Sequence, residues 1–340
     1  MKLHKIKTVL NYCINSWGWS GFVMEQMQNN TTSNLKVPKC RLYICFDLVY
    51  WYVRYGHDFN DYCTFRFWEK TSKDRKSYIS FRRNDVLRFA MSTPRVYDLF
   101  LDKAAFNKRF SKFVSRDWMI TEGHDIADID VFAQKYESVI AKPLEDYGGH
   151  GVMKLSKANA DYQSRLDVLA GHMKDGKKYI VEETICNNDE LKHIAPGSLN
   201  TIRIVTVLDK YKELHMVACL LRMGNGTAIT DNYHDGGMAC PIDLETYKMS
   251  GKAYGMNCME YSRHPYSKIA FDGYQLHDID KCVEMVKEIA LMEPEARYVG
   301  WDFAITPNGI DLLEGNIPPG EDITQIATEC GMWYKLLEWI

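Results

Sequence analysis

Gly300-Trp301-Asp302-Phe303-Ala304-Ile305-Thr306-Pro307-Asn308-Gly309-Ile310-Asp311-Leu312-Leu313-Glu314-Gly315-Asn316 is the stretch on which the fold turns. Two strand-like runs flank Pro307-Asn308-Gly309, a turn sequence in which Gly309 can supply a positive φ. With those three residues as the loop, Thr306 faces Ile310 and Asp302 lies opposite Glu314, with Asn316 two residues further on the same face. A two-residue loop, Asn308-Gly309, instead places Phe303 opposite Glu314. Cross-strand Cβ separations of roughly 4.5–5.5 Å let two carboxylates and an amide oxygen share one or two hard cations. Val299, Trp301, Phe303 and Ile305 form the opposite, core-facing side. Acids on a hairpin are also consistent with a solvated face, so the rest of the chain has to decide.

Working outward, Val139-Ile140-Ala141-Lys142-Pro143 sets a lysine at a strand end. The glycine-rich turn Asp146-Tyr147-Gly148-Gly149-His150-Gly151 follows, where backbone N–H groups can converge on phosphate without Cβ obstruction. It is not a Walker A loop, since no Gly-Lys-Ser/Thr follows. Tyr179-Ile180-Val181-Glu182-Glu183 is a strand running into acids. Ser198 to Thr206 and Leu220 to Gly224 each carry an arginine, Arg203 and Arg222, inside an apolar strand. Arginine is seldom buried unpaired, so each needs an anion: a structural carboxylate, a phosphate or a substrate carboxylate.

The 340 residues carry 42 Lys and Arg against 45 Asp and Glu, a net charge of −3. No global positive field draws nucleic acid or an anionic membrane, and any anionic ligand must be met by local groups. The ten cysteines show no CxxC pair or zinc spacing, which suits free thiols in a reducing, cytoplasmic setting. Lys7, Asn11, Asn15 and Gly18 interrupt the first apolar stretch, which reads as a surface helix followed by a linker over residues 25–39. No run approaches a membrane span. Helical spacing in Leu42 to Leu101 predicts a helical N-terminal region, and β-branched runs from Val139 onward predict strands. Asp278 to Met292 predicts one amphipathic helix, with Ile279, Cys282, Val283, Val286, Ile289 and Ala290 on one face.

The order Asp102-Lys103, Ile140-Ala141-Lys142-Pro143 with its glycine loop, Val181-Glu182-Glu183, Asn200-Thr201-Ile202-Arg203, Gly300-Trp301-Asp302 and Leu313-Glu314-Gly315-Asn316 resembles the ATP-grasp superfamily. It looks closest to the sugar-transfer-associated ATP-grasp proteins. Thr230-Asp231-Asn232 with Gly236-Gly237, and Arg263-His264-Pro265, also match. The resemblance implies an α+β protein in which two α+β lobes sandwich ATP, after a mainly helical region over residues 1–97. The first lobe is expected over 98–180 and the second over 181–340.

It further implies that Lys103 and Lys142 contact ATP, that Gly148, Gly149, His150 and Gly151 form a phosphate lid, and that Glu182 and Glu183 form the adenine hinge. Glu190 is the implied ribose acceptor, with Asp189 as the alternative. The resemblance also implies that Asp302, Glu314 and Asn316 hold magnesium, as two Mg2+ ions with Mn2+ as a substitute. Arg203, Arg222 and His264 are the catalytic candidates, although a hydrogen-bonded loop histidine is an equal reading of His264. The implied reaction joins a small-molecule or glycan-linked carboxylate to an amine through an acyl phosphate, in polysaccharide or glycoconjugate biosynthesis. An ATP-grasp kinase acting on a sugar hydroxyl and a nucleotide-binding protein without turnover are the competing classes.

Overall fold

The computed structural model describes residues 2–29, 40–144, 151–226, 236–256 and 259–340. Helices α1 (Lys2–Asn29), α2 (Arg41–Tyr55), α3 (Phe59–Thr64), α4 (Ser72–Ser77), α5 (Phe81–Met91) and α6 (Pro94–Leu101) make up the expected helical region. Local chemistry sets several of their ends. Asp58 caps α3, Thr71 and Asp74 form a capping box on α4, and Pro94 opens α6. The expected linker begins later than its polar composition suggests, because α1 continues to Asn29. Its inward stripe of Tyr12, Ser16, Ser20, Val23 and Met27 keeps helical period through the segment and stays buried.

Two antiparallel sheets follow. The smaller contains β1 (Trp118–Ile120), β2 (Ser138–Pro143), β3 (Met153–Ser156) and β4 (Tyr179–Glu183), in the order β1-β4-β2-β3. Helices α8 (Ile126–Ala133) and α9 (Tyr162–Lys174) cover it, with Ile129, Leu155, Leu169 and Val181 in its core. Because β4 runs through Glu183, this sheet extends past the boundary expected at 180/181. The larger sheet joins β5 (Thr201–Leu208), β6 (Leu214–Met223), β7 (Met238–Pro241), β8 (Ala253–Gly255), β9 (Met259–Tyr261), β10 (Tyr298–Thr306) and β11 (Gly309–Asn316), in the order β11-β10-β5-β6-β7-β8-β9.

Alternation along these strands builds two separate cores. One face sets Ile202, Ile204, Cys219, Trp301 and Phe303 against α11 (Ile279–Met292) and against Phe100, Phe106 and Phe110. All six residues predicted for the inward face of α11 are buried. Phe106 belongs to α7 (Lys103–Arg109), so α7, expected in the first lobe, packs on the larger sheet. The other face sets Val205, Val207, Leu220 and Tyr298 against α1, α2, α3, α5, α12 (Glu321–Thr328) and α13 (Trp333–Trp339). Arg203, Arg222 and Asp302 share that second face, one step beyond its apolar patch. The helical region is therefore a wall beside them.

Candidate active site

The β10–β11 hairpin reaches the expected pairing of Asp302 with Glu314 by an unexpected route. The loop is Pro307-Asn308, with Thr306 opposite Gly309 rather than Ile310. A bulge between Asp302 and Phe303 then absorbs one residue of β11, so Phe303 faces Leu312 while Asp302 faces Glu314. Neither loop considered from sequence is the one formed.

Asp302 is buried, and the two strand arginines close on it. Arg203 forks onto it, Nε donating to Oδ1 and Nη2 to Oδ2 at 2.6 Å, while Arg222 Nη1 donates to Oδ2 at 3.0 Å. Burial pushes the Asp302 carboxyl up, but Arg203 and Arg222 outweigh it and hold it below the usual carboxylate range. Glu314 moves the other way, raised by burial and by the Asp302 charge. Its side chain is nonetheless exposed, the situation of a group on the wall of a cleft, with protein around it and water at its face. Asn316 Nδ2 lies 3.1 Å from Glu314 Oε1 and 3.5 Å from Asp302 Oδ2. Two carboxylates and an amide that crowd together, one carboxyl inclined to keep its proton, fit a hard divalent cation. Rotation of the Asn316 amide would present its oxygen to such an ion. Gly300 is needed beside this group, since a Cβ there would meet Pro319 Cβ at 3.0 Å and Arg203 Cδ at 3.2 Å.

Lys142 of β2 in the small sheet and Lys103 at the start of α7 come close to each other. Lys142 Nζ lies 2.6 Å from Glu182 Oε2, and Lys103 Nζ donates to the Pro143 carbonyl at 3.2 Å. Burial lowers the Lys103 amine, and it is within electrostatic reach of Glu314, Lys142 and Glu182. Both lysines and the hairpin acids thus border one space between the sheets.

Glu182 is more than a strand end. It is buried, and Arg116 and Asn107 also bind its Oε1, at 2.9 and 3.0 Å. Arg116 reaches on to Asp311 Oδ2 at 2.6 Å and to the carbonyls of Leu312 and Leu313. A buried ion chain therefore runs Lys142–Glu182–Arg116–Asp311 from one sheet to the other. Burial would raise the Glu182 carboxyl, but Lys142 and Arg116, with hydrogen bonds from Lys142 and Asn107, bring it down to about 2. Arg116 escaped the sequence reading because its partners lie 66 and 195 positions away.

The remaining candidates are less convergent. Glu183 N–H donates to the Asp117 carbonyl and Thr184 N–H to that of Ser138. Glu190 is held by His277, whose Nδ1 lies at 2.8 Å, while Asp189 is exposed. His264 is fully buried. Its Nε2 donates to the Gly224 carbonyl at 2.9 Å and its Nδ1 accepts from the N–H groups of Tyr266 and Ser267. That arrangement uses both nitrogens of a neutral ring, and burial holds the ring below the usual histidine range. Gly148, Gly149, His150, Asp231 and Asn232 lie outside the described residues, whereas Gly151 is described, with φ 72°.

The model of the sugar-transfer associated ATP-grasp family matches residues 82–338, and the chain belongs to that family. Among solved structures it is similar to D-alanyl-alanine synthetase A from Vibrio cholerae O1 biovar eltor str. N16961, at 10% identity and a TM-score of 0.47, over 73% of this chain and 65% of that one. It is also similar to the ATP-grasp ligase PsnB complexed with a phosphomimetic variant of its minimal precursor, Mg and ADP, at 14% identity and a TM-score of 0.39, over 73% of this chain and 59% of that one. D-Alanine-D-alanine ligase from Helicobacter pylori gives 12% identity and a TM-score of 0.41, over 68% of this chain and 60% of that one. The chain spans less than two thirds of the length of each of these structures. No curated protein matches it.

Proposed function

We propose that the protein is an ATP- and Mg2+-dependent ligase that joins a carboxylate to an amine. The observation that carries this reading is the meeting of Asp302, Glu314 and Asn316 with Arg203, Arg222, Lys103 and Lys142 between the two sheets. Asp302, Glu314 and Asn316 would hold Mg2+, which supplies charge neutralisation on the ATP phosphates. The substrate carboxylate attacks the γ-phosphorus, ADP leaves, and the amine displaces inorganic phosphate from the acyl phosphate. Such transfers need positioning and charge neutralisation rather than a protein nucleophile.

Each side chain then has a task set by its surroundings. Arg203 and Arg222 keep Asp302 ionised and aimed. Their guanidinium forks would also meet oxygens of the transferring group. Lys142, which sits on Glu182, and Lys103, which donates to the Pro143 carbonyl, would turn to the ATP phosphates. His264 acts as a staple, positioning Gly224 at the end of β6 rather than moving a proton. The family's association with sugar transfer supports an acceptor from polysaccharide or glycoconjugate synthesis, either a sugar acid or an amino acid, free or glycan-linked.

A panel of sugar acids, amino acids and amines, scored by ADP release, finds the substrates. With oxygen-18 in the active acceptor carboxylate, the ligase reading expects label in the released phosphate. A stable phosphorylated hydroxyl product with no phosphate released would show a kinase instead, and label-free phosphate would show ATP hydrolysis without ligation.

A further inference from the structure

Helices α1 and α2 form an antiparallel hairpin. Tyr12 stacks on Tyr52 at 3.9 Å, Ser16 Oγ meets Cys45 Sγ at 3.0 Å, and Arg41 lies 4.2 Å from the centre of the Trp17 ring. Their inward stripes, Tyr12, Val23 and Met27 on one and Ile44, Leu48 and Trp51 on the other, fill the core shared with the large sheet. On the far side of each helix runs a second apolar stripe at helical spacing. Leu10, Ile14 and Trp17 lie on α1, and Leu42, Phe46 and Tyr50 on α2, all 50–72% exposed. Isolated exposed apolar residues are ordinary, but two adjacent stripes with aromatic members mark a surface that something covers.

Charge decides between the possible covers. The two helices carry Lys2, Lys5, Lys7, Arg41 and Arg54 against only Glu25 and Asp47, in a chain whose net charge is −3. Asp47 is turned inward, accepting from Arg75 at 2.8 Å and Tyr62 at 2.7 Å. A second copy docked on this face would bring like charges together. An anionic lipid surface meets both properties, because aromatic and aliphatic side chains enter the interface while Lys and Arg reach the headgroups. No helix among the described residues is long and apolar enough to cross a membrane, so the geometry suits lying on a bilayer and not spanning one. We propose that the outer face of the α1–α2 hairpin docks this protein flat on an anionic membrane.

Co-sedimentation with vesicles of phosphatidylglycerol and phosphatidylcholine tests this, with pure phosphatidylcholine vesicles as the control. The intact protein is expected to bind the mixed vesicles, to bind the neutral ones at least tenfold more weakly, and to be released by 0.5 M salt. Ile14→Ser with Phe46→Ser should lower binding tenfold or more, with the circular dichroism spectrum and ATP turnover unchanged. Lys7→Glu with Arg54→Glu, which leaves the apolar stripes intact, should do the same. Equal binding of intact and variant protein, no binding to either vesicle, or a concentration-dependent dimer that the first double variant abolishes would each overturn the proposal.

Discussion

Asp302 is held by three N–H donors from two arginines, so the aim of this carboxylate depends on guanidinium geometry. Lysine cannot replace the fork of Arg203 with a point charge. Arg203→Lys is therefore expected to leave nucleotide affinity by calorimetry nearly unchanged while slowing turnover by on the order of 10²-fold, the scale of one lost preorganised donor. A lowered melting temperature with normal turnover would make Arg203 purely structural. Close by, Glu321 shows how a single carboxyl can make stability depend on pH. Burial and the charge of Asp322 raise it from its ordinary 4.5 to about 7, while Asn84 Nδ2 donates to it at 2.9 Å. A raised carboxyl favours the folded state in its protonated form, so this contribution is complete below 4.5 and is lost as pH rises to about 7. Glu321→Gln, which still accepts from Asn84, should melt above the parent protein at pH 8 and level with it at pH 4.5. Equal melting temperatures at pH 8 would show the carboxyl is not shifted.

Among the elements, the β10–β11 hairpin is set by glycine as much as by its acids. Gly315 stands between Glu314 and Asn316, and a Cβ there would meet Phe100 Cε1 at 2.5 Å and Phe106 Cε2 at 3.0 Å. The aromatic cluster of Phe100, Phe106, Phe110 and Trp301 thus presses directly on the strand that carries the candidate ligands. Gly315→Ala is expected to cost about 1–3 kcal/mol by overpacking, seen in the urea midpoint. It should also raise the Mg2+ concentration needed for half-maximal turnover, because the flanking side chains move with the strand. An unchanged Mg2+ requirement would separate the packing from the site. Period and turn chemistry made this hairpin, the long strands and α11 legible in the sequence, since each is written in contiguous residues. The bulge that pairs Asp302 with Glu314 was not legible, because a ladder irregularity depends on packing against β5 and the phenylalanines. The same holds for His264, whose role as a staple depends on a carbonyl 40 positions away.

At the scale of the whole molecule, the two sheets are joined at a point that no local motif announces. Arg116 is buried between Glu182 of β4 and Asp311 of β11, so one side chain links Lys142, through Glu182, to the strand bearing the acids. Removing one partner of a buried ion pair is costly, because it leaves the others desolvated and unpaired, typically by about 3–5 kcal/mol. Arg116→Met, close in length and without charge, should destabilise by that order and leave Glu182 and Asp311 without their shared guanidinium. Acid sensitivity should change with it. Glu182 in the intact protein lies at about 2 against an ordinary 4.5, so its stabilisation is full above 4.5 and is lost as pH falls towards 2. In the Arg116→Met variant the Glu182 carboxyl should move upward, so its share of acid unfolding begins at higher pH. Urea unfolding of both proteins at pH 7, 5 and 3.5 measures this. The stability gap is expected to be largest at pH 7 and to narrow as the carboxylates protonate. A gap that stayed constant over that range would mean Arg116 serves by packing alone, and the joint between the sheets would not be electrostatic.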